Sequence, residues 1–128
     1  MADELNLQTK VAFNKGGTSV AFPDANAQII NVNVAGDRFI QNRQSIGIVA
    51  EPVDIGDISL GGYAAFINRD ATNYVDLLDA ASGVIFCRLK PGELAVLRLH
   101  LAGGAGPLVL SALANLAPID LEYLIIED

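Results

Sequence analysis

Residues Val84–Leu101 read VIFCRLKPGELAVLRLHL, and the fold turns on how this stretch is parsed. At its centre Lys90-Pro91-Gly92-Glu93 is a turn: proline presets φ near −65° at the second position, and glycine tolerates the positive φ that a type II turn needs at the third. Beyond the turn, Leu94, Val96, Arg98 and His100 alternate with Ala95, Leu97, Leu99 and Leu101. Before it lies the apolar run Val84–Leu89. A period of two sends successive side chains to opposite faces, so both flanks read as strands, 84–89 and 94–101, joined as a hairpin.

The same period recurs outward in both directions. Ile30, Val32 and Val34 alternate with Asn31 and Asn33, and Leu121, Tyr123 and Ile125 with Asp120, Glu122 and Leu124. Gly16-Gly17, Pro23-Asp24, Gly36-Asp37, Gly61-Gly62, Asp70–Asn73, Ser82-Gly83 and Gly103–Pro107 punctuate the chain about every ten residues. The strands expected are 4–13, 18–22, 28–34, 39–50, 53–58, 63–69, 73–78, 84–89, 94–101 and 119–126, with 108–114 open between strand and short helix. Short strands at even spacing, without helices between them, predict an all-β fold. The expected architecture is an antiparallel β-sandwich, jelly-roll-like, of about ten short strands.

The chain has 128 residues, one domain's worth, and a single β-sandwich domain over 1–128 is expected. It is 52% hydrophobic and only 18% charged. A small domain has little interior for such a surplus, which points to surface covered by a partner. Fifteen acidic residues outnumber eight basic ones, for a net charge of −7. Arg38 and Arg43 are the nearest approach to a basic cluster, so nucleic acid and anionic membrane are not expected partners. The acidic start and the short apolar runs predict neither a signal peptide nor a membrane span, and hence synthesis in the cytoplasm. The lone cysteine, Cys87, excludes an internal disulfide and reads as a small buried strand residue.

No constellation in the chain carries catalytic chemistry. His100 is the sole histidine, and a metal or acid–base role needs convergent partners that one His and one Cys do not supply. Asp54 with Asp57, and Asp76 with Asp79, are spaced as carboxylate pairs, but each sits beside a turn whose amides an aspartate satisfies. Ser45 and Ser111 lie in no nucleophile elbow, and Gly103–Gly106 lacks the Lys-Ser/Thr of a phosphate loop. No catalytic, cofactor or metal residues are therefore assigned. A sugar- or receptor-binding groove would need exposed Tyr63, Tyr74 or Tyr123, since tryptophan is absent.

One segment stands apart. Glu4–Phe13 (ELNLQTKVAF) alternates apolar residues ahead of Asn14-Lys15-Gly16-Gly17. It reads either as an edge strand of its own sheet or as an arm reaching a neighbour. Residues 1–15 are the candidate assembly arm, with Leu5, Leu7, Val11 and Phe13 as its contact residues.

The stretch Gly62–Asp76 (GYAAFINRDATNYVD), followed by Phe86, Leu89–Glu93 and Leu97–Leu99, resembles small β-sandwich virion proteins of tailed bacteriophages. The resemblance spans residues 60–101 and the acidic C-terminal strand. It implies a virion component without enzymatic activity, either a capsid decoration (cement) protein or a neck, tail or fibre accessory. It further implies that the partners are copies of the chain itself, as a homotrimer by analogy, and major capsid or other virion proteins.

Overall fold

A computed structural model describes residues 4–24, 26, 28–59, 61–99 and 109–128. His100 and the Gly103–Gly106 loop lie outside them. Every regular element among the described residues is a strand, and the chain forms two compact units, Met1–Ala35 and Gly36–Asp128.

The second unit carries the sandwich. Its strands are β5 (Phe39–Ile46), β6 (Glu51–Pro52), β7 (Gly61–Asn68), β8 (Val75–Asp79), β9 (Val84–Leu89), β10 (Leu94–Arg98), β11 (Leu110–Ala114) and β12 (Ile119–Glu127). They form two four-stranded sheets in the orders β10-β7-β12-β5 and β6-β11-β8-β9, every pairing antiparallel. Successive strands alternate between the sheets, apart from the β8–β9 hairpin. This is the strand order of a jelly roll.

Alternation along the strands explains the core. Ala64 and Phe66 on β7, and Ile119, Leu121, Tyr123 and Ile125 on β12, point inward from the first sheet. They meet Val75, Leu77, Leu89, Leu110, Ala112 and Ala114 from the second. Their neighbours on the same strands are half-exposed or exposed on the first sheet's outer side, as a half-buried antiparallel sheet requires. Tyr123 belongs to this core by its ring, and its hydroxyl donates to the Asp54 carbonyl at 2.5 Å and accepts from Asn42 Nδ2 at 3.1 Å. Tyr123→Phe strands both partners, so a loss of about 1–2 kcal/mol in urea unfolding is expected; an unchanged midpoint would contradict this role.

The strands differ from several of these expectations and settle one that was open. The Lys90–Glu93 turn forms, with Glu93 N donating to Lys90 O and Gly92 at φ +79°, but it closes no hairpin. It carries the chain from β9 in one sheet to β10 in the other. Residues 53–58 are not a strand: Asp54 Oδ1 accepts from Gly56 N, and Gly56 takes φ +60°. Residues 110–114 are a strand, buried between β6 and β8. The strands before Gly36 pair only with one another, and both four-stranded sheets are built from strands that follow it.

Candidate assembly surface

The first unit is a β-ribbon. Strands β1 (Leu5–Thr9) and β4 (Gln28–Val32) pair, as do β2 (Val11–Lys15) and β3 (Thr18–Phe22), each as a two-stranded antiparallel sheet. The tip is Lys15-Gly16-Gly17-Thr18, with φ +57° and +81° at the two glycines. Positive φ at both central positions is the type I′ geometry, whose twist matches that of the flanking strands, and glycine meets it without a Cβ penalty. Between β3 and β4 the chain breaks at Pro23, which has no N–H to donate, and Asp24 accepts from Asn26 N and Gln28 Nε2.

Register decides which side chains share a face. Val11 opposes Phe22 and Phe13 opposes Val20, so these four lie together; Ala12, Ala21, Asn14 and Ser19 take the other side, where Ser19 Oγ donates to Asn14 Oδ1 at 2.6 Å. In the second pair, Leu5 opposes Val32 and Leu7 opposes Ile30, while Asn6 donates to Asn31 across the reverse face at 2.8 Å. Each sheet thus has a mainly apolar face, which in β2–β3 ends at Lys15 and Thr18 beside the tip, and a more polar one, on which Ile29 lies opposite Gln8. The four candidate contact residues, Leu5, Leu7, Val11 and Phe13, fall on the apolar faces. Val20, Phe22, Ile30 and Val32 complete those faces from the partner strands; their alternation in 18–22 and 28–34 was the available signal.

No described residue of this unit is buried. Phe22 is 68% exposed, Val11 60% and Phe13 54%. The strands β1 and β2 are also not an edge of the sandwich, since neither joins its sheets.

Three aspartates bind donors within their own unit. Asp79 accepts from Ala81 N, Ser82 Oγ and Val109 N; Asp70 accepts from Thr72 N and Asn73 N. Asp76 is buried and holds Arg88 with two bonds, at 2.6 and 2.9 Å, while the Arg88 guanidinium stacks 3.9 Å over Tyr74. Tyr74 is thereby occupied and Tyr123 is 2% exposed, which leaves Tyr63, beneath Arg98, as the remaining tyrosine for a sugar platform. Cys87 is half-buried, and burial together with Asp76 and Glu93 raises its thiol pKa away from reactivity.

Two of these aspartates set a pH dependence. Amide donation from Asn73 and Thr72 lowers the Asp70 pKa below the ordinary 3.8, and Ser82 and Val109 do the same for Asp79. A depressed folded pKa adds stability above the unfolded value and loses it as pH falls through the folded one. Thermal stability is expected to fall below about pH 4, and less steeply for Asp70→Asn/Asp79→Asn. Parallel profiles for the two proteins would contradict the assignment.

Comparison of the chain with known protein families, curated proteins and solved structures finds no match.

Proposed function

We propose that this protein is a non-enzymatic structural component that works by assembling, and that its setting is a bacteriophage virion, as a capsid decoration protein on the outside of the head. The observation that carries the assembly reading is the ribbon: Val11, Phe13, Val20 and Phe22, which share one face of β2–β3, are all more than half exposed. Contiguous apolar surface of this kind marks interaction sites on otherwise soluble domains. The virion setting is supported by the resemblance over residues 60–101 and by a jelly roll, an architecture recurrent in viral capsids that by itself assigns no function. An acidic surface also suits an outer position, away from packaged DNA.

Light scattering of the full chain across a concentration series tests the reading. The expected result is a stable oligomer, about three times the 13.5 kDa chain if the trimer analogy holds. Binding of that oligomer to phage heads would extend it to decoration. A chain that stays single at every concentration would overturn self-assembly.

A further inference from the structure

We infer that the apolar face of the ribbon seats against the same face of a second copy of this chain; this rests on the assembly reading and names its contact. A two-stranded ribbon is at best marginally stable in water by itself. Here Val11, Phe13, Val20 and Phe22 share one face of β2–β3, and Leu5, Leu7, Ile30 and Val32 one face of β1–β4, with no described residue of the unit buried. Something must cover these faces for the ribbon to persist.

Charge distribution identifies a second copy as that cover. Asp3, Glu4 and Asp24 against Lys10 and Lys15 give residues 1–35 a net charge of −1. The remaining twelve acidic and six basic residues give 36–128 a net charge of −6. Two copies meeting through their sandwiches would bring like charge together, which opposes association. Two copies meeting through their ribbons bring together the near-neutral part of the chain. Lys15, next to the glycine tip, is the one charged strand residue on these faces, so little there repels its own duplicate. A patch that packs against copies of itself about a symmetry axis must tolerate its own duplicate, as a nearly uncharged apolar face does. A partner recognised by charge would find its signal on the sandwich, not on this face.

The test uses full-length chains and light scattering. Val11→Glu/Val20→Glu and Val11→Lys/Val20→Lys are each expected to lower the oligomer mass at least twofold, since each places like charges on both sides of the contact. An equimolar mixture of the two variants is expected to regain it, because opposite charges now meet across copies. Recovery on mixing separates a contact between ribbons from a ribbon that merely fails to form. Leu94→Lys/Val96→Lys, on the exposed face of β10, is expected to keep the wild-type mass. An oligomeric wild type whose mass survives both ribbon variants would overturn this inference and leave the assembly reading standing. So would a pair of variants that stay dissociated when mixed. A wild type that never associates would overturn both.

Discussion

Replacement of Asn68 by alanine is expected to cost the sandwich about 3–5 kcal/mol, more than its small volume suggests. Asn68 ends β7 with its side chain fully buried. Its Nδ2 donates to the Asn73 carbonyl at 2.8 Å and to the Leu89 carbonyl at 3.0 Å, and its Oδ1 accepts from Asp70 N at 2.9 Å. Leu89 lies in the opposite sheet, so one amide both shapes the β7–β8 turn and ties the sheets together. Alanine leaves three backbone groups without this partner, each costing about 1–3 kcal/mol when it cannot reach water. In a unit of this size the loss corresponds to a melting temperature lower by roughly 15–25 °C. Asn68→Asp, which keeps the shape but removes both donors, is expected to fall in the same range. A drop below about 5 °C for both variants would show that water or a shifted backbone replaces the amide.

Phe66→Ala is the second large effect, about 3–5 kcal/mol. Phe66 is fully buried on a strand flanked by β10 and β12, and its ring lies 6.2 Å from that of Tyr123 at 34°. Truncation removes the transfer energy of the ring and opens a cavity beneath the opposing sheet. Phe66→Leu refills most of that volume and is expected to lose under about 2 kcal/mol. Urea unfolding of both variants checks the order. Equal losses would mean that the site collapses around either side chain. The contrast with Phe13 is instructive. Phe13 is 54% exposed, so Phe13→Ala is expected to shift the unfolding of dissociated chains by no more than about 0.5 kcal/mol.

Much of this was legible in the residues because alternation states which side of a sheet a side chain occupies. Tyr123 and Ile125 face inward and Glu122 outward, as their spacing implied. Leu5, Leu7, Val11 and Phe13 likewise lie on apolar faces. What alternation does not carry is the identity of the next strand's neighbour. Lys90–Glu93 has the chemistry of a reversal, yet a reversal serves a hairpin or a crossing between sheets equally well, and only packing of Leu89 and Leu97 against the core selects the crossing. Leu110–Ala114 was ambiguous for a different reason. Leucine and alanine favour helix intrinsically, and two flanking strands override that preference by supplying the ladder. The ribbon's extent was hidden because its outgoing strands look like any others; pairing between residues 25 apart, such as Asn6 with Asn31, is a long-range fact.

The position of β12 has a consequence for how the protein is made. β12 pairs with β5 on one side and β7 on the other, so the strand in the interior of the first sheet is the last of the sandwich to leave the ribosome. Until Glu127 has emerged, β5 and β7 have a gap between them, and the inward faces of Ile46, Ala64 and Phe66 stay open to solvent. Translation at about 5–20 residues per second therefore leaves a nascent chain with exposed strand edges for some seconds. The first sheet is complete only once β12 is in place, and a chain clipped before Ile119 loses an interior strand of that sheet rather than its margin.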